Sequence, residues 1–158
     1  MSTQLLARDG TEVEAFAALL QAHAATTRGL SADLAAEHGL TMNDYEVLLR
    51  LAHAPDRRLR RVDLAEEVFL TPSGITRLLA GLEQSGWVER VFCQSDARVT
   101  YAQLTDEGLE KLRAAAKSHV ASIRSLFAER FSASELEALR DLLQRLPLDE
   151  GGVPSCEP

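Results

Sequence analysis

Hydrophobic positions recur at helical spacing along most of the chain. From Thr11 the row Phe16, Leu19, Leu20, His23, Thr27, Leu30, Leu34 keeps a period near 3.6 residues as far as Gly39. Thr11, with Glu14 three residues on, has the form of a capping box opening this helix, and Gly39 suits its C-terminal cap. Thr41 starts a second helix with Tyr45, Leu48, Leu49 and Leu51 turned inward, and Pro55 with Asp56 stops it. Arg57 to Arg61 fits either a loop or a short strand. Val62 to Val68 reads as a short helix whose apolar side carries Leu64, Ala65 and Val68.

The next stretch is the most informative. Thr71 is a good N-cap and Pro72 suits the first helical position. Ile75, Leu78, Leu79 and Leu82 fall at i, i+3, i+4 and i+7, which predicts one buried face. The opposite face carries Ser73, Thr76, Arg77 and Ala80. Gly86 ends the helix. Trp87 to Cys93 and Val99 to Leu104 are β-rich runs around a polar tip, Gln94 to Arg98, and so predict a hairpin. Thr105, followed by Asp106 and Glu107, caps a long helix expected to reach about Phe131. Ser132 and Glu135 form another capping box, Leu136, Leu139, Leu142, Leu143 and Leu146 follow, and Pro147 stops that helix. There is no internal repeat.

The fold class predicted by this order is mainly α with a small β-hairpin wing: a winged helix-turn-helix flanked by N- and C-terminal helices. With 158 residues, 46% of them hydrophobic, the chain suffices for one domain plus a dimerising appendage. Two cysteines, Cys93 and Cys156, cannot form a disulfide framework, and the four histidines His23, His38, His53 and His119 lack metal-ligand spacing. No phosphate-cradling loop or nucleophile elbow is present, so the reading is not enzymatic, with no cofactor and no metal. The chain shows no apolar run of membrane-spanning length and no basic-then-apolar start, and a cytoplasmic location is expected.

Charge refines the picture. The net charge of −7 speaks against nucleic acid at first sight, but its distribution is uneven. Residues 1–54 carry 3 basic and 7 acidic side chains, residues 55–105 carry 7 and 7, and residues 106–158 carry 7 and 10. The neutral middle third also holds the cluster Arg57, Arg58, Arg60, Arg61. A helix with short or hydrogen-bonding outward side chains can enter a DNA major groove. The candidate contacts are Thr71, Ser73, Thr76 and Arg77, with small Gly74 and Ala80 permitting close approach; a plain solvated face would look the same at this level. At the hairpin tip Arg98 can enter a minor groove, and Asp96 can hold its guanidinium by a bidentate pair.

The ordered set Val62-Asp63-Leu64-Ala65-Glu66-Glu67, Leu70 to Leu78, Leu82 to Arg90, Ser95-Asp96-Ala97-Arg98 and Leu104-Thr105-Asp106-Glu107-Gly108 resembles the multiple-antibiotic-resistance regulator (MarR) family over about residues 11–146. The resemblance implies a homodimeric repressor of pseudopalindromic double-stranded DNA operators, released by ligands or oxidants. The family's Asp-x-Arg wing motif falls on Asp96 and Arg98. Family members often carry a second basic residue between these two, and here it is Ala97, which implies a shallow salt dependence.

The division expected is a helical dimerisation region over 11–54 and 105–146, a DNA-binding domain over 55–104, and disordered tails at 1–10 and 147–158. Leucine rows in the terminal helices exceed what one small wing domain can cover, which also favours a dimer. A small anionic or phenolic ligand would have His23, Thr27, Arg28, Tyr45, Arg50 and His53 as its candidate contacts, although His23 equally suits a core or interface position. Oxidation of Cys93 is a rival switch, and a winged-helix protein–protein adaptor is the alternative to DNA binding. Arg98 separates the last two, since only a DNA reader needs it.

Overall fold

A computed structural model describes residues 10–96 and 98–146. The tails, apart from Gly10, lie outside the described residues, as do Ala97, Pro147 and Cys156. Six α-helices and three short strands follow in the order α1 (Thr11–His38), α2 (Met42–His53), β1 (Arg58–Arg60), α3 (Arg61–Glu67), α4 (Pro72–Gln84), β2 (Val88–Phe92), β3 (Thr100–Leu104), α5 (Asp106–Ala128) and α6 (Ala133–Leu143). A single 3-10 turn at Pro55–Arg57 joins α2 to β1.

The helix ends obey local chemistry. Thr41 accepts from the Asp44 amide, and Asp44 returns a bond to the Thr41 amide at 2.9 Å. Ser132 and Glu135 do the same for α6. Gly39 closes α1 in the left-handed conformation, φ 64°, with its amide on the Ala35 carbonyl. The capping box expected at Thr11 does not form. Gly10 is the N-cap, and its carbonyl already takes the Val13 and Glu14 amides, so Thr11 lies one residue too late to cap. α5 stops at Ala128, three residues short of the expectation, because the Glu129, Arg130 and Phe131 amides fold back onto Ser125 and Phe127 carbonyls in a closing turn.

The wing is a three-stranded antiparallel sheet in the order β1-β3-β2, not a lone hairpin. Leu59 pairs with Ala102, and Val88 with Leu104, and all four side chains are buried. This inner face closes one continuous core. It contains Leu34 and Leu40, then Val47, Leu48 and Leu51 of α2, Leu64 of α3, Ile75, Leu79 and Leu82 of α4, and Leu112 and Ala115 of α5. Each fully buried leucine contributes on the order of 2 kcal/mol, so α4 is held firmly on its apolar side. Val47, absent from the helical reading of α2, is fully buried because α2 is covered on two sides.

The two ends of the chain behave differently. Phe16 and Leu20 on α1 are 61% and 52% exposed, and Leu142 on α6 is 54% exposed. α6 buries none of its residues despite its leucine row. Among the described residues these apolar faces have no cover.

The turn between α3 and α4 carries strain. Phe69 sits at φ 53°, a left-handed conformation that favours glycine, and its side chain is 89% exposed. The Leu70 amide reaches back to the Ala65 carbonyl at 2.9 Å, which is how this helix end closes. Phe69→Gly relieves the strain and removes no packing. We expect it to raise unfolding free energy by about 0.5–1 kcal/mol in chemical denaturation. A loss of stability would show that the phenyl ring packs in the folded state.

Candidate nucleic-acid interface

α4 projects its polar face away from the core. Thr71 caps it by accepting from the Gly74 amide at 3.1 Å, and lies 3.2 Å from the Ser73 hydroxyl. Thr76 donates to the Pro72 carbonyl at 2.7 Å, which leaves its oxygen lone pairs facing outward. Ser73, Thr76, Arg77 and Ala80 are exposed in sequence along one face. Gly74 is half-buried, and a Cβ there would lie 3.1 Å from the Thr71 hydroxyl, so its smallness serves the cap.

The wing tip is a tight polar loop. The Cys93 amide bonds the Val99 carbonyl and extends the ladder by one rung. Asp96 accepts from the backbone amide of Arg98 at 2.9 Å. This replaces the expected carboxylate–guanidinium pair: two residues apart in a loop, the carboxylate reaches the main chain first, as an Asx turn. Asp96 therefore shapes the loop, and the exposed Arg98 side chain has no ion pair among the described residues.

Ion pairing sorts the arginines. Arg57 is bound to Asp106 at 2.9 Å, Arg58 faces Asp56 at 3.5 Å and lies over the Tyr101 ring, and Arg60 grips Asp63 through two bonds of 2.6 and 2.8 Å. Arg90 is 3.8 Å from Glu83. The dense basic cluster is thus largely engaged in the fold. Arg77 and Arg98 are exposed without an acidic partner among the described residues. The Arg60–Asp63 pair was visible at its i, i+3 spacing, whereas Asp106 is too distant in sequence to have been found.

The candidate ligand residues are only partly brought together. Arg50 and His53 line one depression of about 560 Å³ with Glu46, Leu49, Leu59 and Glu67. Arg50 is already neutralised there by Glu46 at 2.9 Å and Glu67 at 3.9 Å. His23 and Arg28 are exposed on α1 and Thr27 is half-buried, none of them lining that depression. Tyr45 is buried elsewhere, its ring 4.6 Å from that of His119. Cys93, at the root of the wing tip, lies 3.1 Å from the Ser95 hydroxyl, and that hydrogen bond holds its thiol below the usual range.

Comparison with known proteins places this geometry. Residues 38–99 match the MarR family. The HTH-type transcriptional regulator MhqR of Bacillus subtilis is 30% identical over 113 residues, covering 72% of this chain and 76% of that protein. AbsC, a MarR family transcriptional regulator from Streptomyces coelicolor, matches with a TM-score of 0.76 at 36% identity, over 85% of this chain and 90% of AbsC. Sco3205, a MarR family transcriptional regulator from the same organism solved in complex with DNA, matches with a TM-score of 0.77 at 31% identity, over 92% and 96%. The chain belongs to the MarR family of transcriptional regulators, as its motifs implied. Among the described residues no helix is long and apolar enough to cross a membrane.

His119, one of the scattered histidines, turns out to be buried at the junction of α1, α2 and α5. It is 7% exposed and its Nδ1 has no hydrogen-bond partner among the described residues. Burial lowers its pKa, opposed only by the nearby Asp33 carboxylate. The unfolded chain therefore binds a proton more readily than the folded one. Stability from this site is complete above about pH 6.5 and is lost as pH falls below it toward the folded value. We expect His119→Leu to flatten the acid side of a denaturation-versus-pH profile between pH 7 and 5. An unchanged profile would show that His119 does not carry the dependence.

Proposed function

We propose that the chain works as a homodimeric, sequence-specific DNA-binding repressor acting in the cytoplasm. Residues 55–104 read the DNA and residues 11–54 with 105–146 pair two copies. α4 enters the major groove with Ser73, Thr76 and Arg77 toward base edges and phosphates. Thr71 and Gly74 keep the N-terminus of α4 in shape, where free amides and the positive dipole end favour a phosphate. Arg98 enters the neighbouring minor groove from a loop set by Asp96.

The observation that carries this reading is the segregation of charge. Of the wing domain's seven arginines four are engaged with carboxylates; Arg61, Arg77 and Arg98 have no ion pair among the described residues, and of these Arg61 is half-buried while Arg77 and Arg98 stand exposed on the α4 face and the wing tip. A protein–protein adaptor has no need of two free guanidinium groups placed this way. The uncovered apolar faces of α1 and α6 support pairing, since two-fold symmetry buries both and presents two α4 helices to one side of a duplex. A similar protein, Sco3205, was solved on DNA.

Fluorescence anisotropy on a duplex from the intergenic DNA flanking the chain's own gene tests the reading. The parent should bind with a salt dependence that weakens it at higher ionic strength. Arg98→Ala and Arg77→Ala should each raise Kd by about tenfold, and each should lower the log–log salt slope by about one. Equal binding by both variants, or none by the parent, would favour the adaptor.

A further inference from the structure

The wing carries an aromatic residue that the fold does not use. β2 and β3 pair so that Val88, Arg90 and Phe92 share a face with Leu104, Ala102 and Thr100. The near part of this face is core, since Val88, Ala102 and Leu104 are all buried. Phe92 continues the same row beyond the core and is 60% exposed. Its position relative to α4 is fixed by its neighbour. Arg90 is tied to Glu83 in the last turn of α4 at 3.8 Å, and Phe92 lies about 7 Å further along the strand on the same face. Phe92 therefore lies on the side of the wing that faces α4, between α4 and the loop that carries Arg98.

Resting on the DNA-binding reading above, we propose that Phe92 is a DNA-contact residue that packs on the deoxyribose edge of the strand running between α4 and the wing tip. Adjacent grooves of a duplex are separated by one sugar–phosphate strand. With α4 in the major groove and Arg98 in the next minor groove, that strand must pass across the cleft where Phe92 stands. Its phosphates call for cations, but its sugars present C–H edges that a phenyl ring covers well. Among the described residues the ring stays 60% exposed, and a duplex in place would cover the apolar surface that remains open. Phe92 would also fix the wing at a set distance from α4 and so hold Arg98 in register with the minor groove.

An apolar contact and a charged one differ in their response to salt, and this separates Phe92 from the arginines. We expect Phe92→Ala to raise Kd for the flanking intergenic duplex by about five- to tenfold, with the salt slope unchanged from the parent. Phe92→Leu should keep most of the affinity, and the thermal midpoint of both variants should match the parent because the ring is exposed. Binding by Phe92→Ala within twofold of the parent would overturn the contact and leave the DNA reading intact. A lowered melting temperature for Phe92→Ala would overturn it by making the ring structural, and a slope reduced as for Arg98→Ala would overturn it by showing that the variant loses an ionic contact. A parent that binds no duplex would overturn the DNA reading and this contact with it.

Discussion

The arrangement depends on one clasp between α5 and the turn that leads out of α4. Thr105 donates its hydroxyl to the Gly86 carbonyl at 2.7 Å, its amide bonds the Trp87 carbonyl at 3.1 Å, and its oxygen accepts from the Gly108 amide. One residue thus caps α5 and grips the junction of α4 and β2. Gly108 is buried directly against the Trp87 carbonyl, and any Cβ at that position would collide with it. Trp87 is further held by Lys111 of α5, whose ammonium lies 4.9 Å from the ring centre. The end of α4, the base of the wing and the start of α5 therefore move as one body. From this contact α5 runs on to pack along α1 and α2.

A second constraint is electrostatic. A chain of net charge −7 approaches a polyanion only if its cations are concentrated where contact occurs. The fold does this by subtraction. Carboxylates at Asp56, Asp63 and Asp106 quench the arginines of the linker and β1, and Glu83 holds Arg90. What remains outward on the reading side is sparse. On the proposed DNA reading, recognition would rest more on shape, hydroxyls and apolar contact, Phe92 included, than on a dense basic field.

Much of the fold was legible because it is set locally. Thr41, Thr71, Thr105 and Ser132 cap their helices as their positions imply, and Gly39 closes α1 as its lack of a Cβ allows. Other positions were settled by a competing neighbour or by a distant partner. Thr11 lost its cap to the Gly10 carbonyl. The stretch Arg57 to Arg61, left open between loop and short strand, forms a strand over Arg58–Arg60 because β3 offers Tyr101, Ala102 and Gln103 to pair with. Asp96 was read for its charge, but the loop uses its geometry. The candidate ligand residues Tyr45 and Arg50 lie on one helix, yet one is buried against His119 and the other is held by two glutamates, which no spacing reveals. His119 was invisible for the same reason: burial by three helices is not written in any one of them.

On the proposed reading, two copies related by a two-fold axis present two α4 helices to one face of a duplex. Hydroxyl-radical footprinting on the flanking intergenic DNA tests it most directly. The account requires two protected segments related by a dyad, their centres about one helical turn or a small multiple apart. A single unpaired footprint, or uniform protection without a dyad, would contradict it.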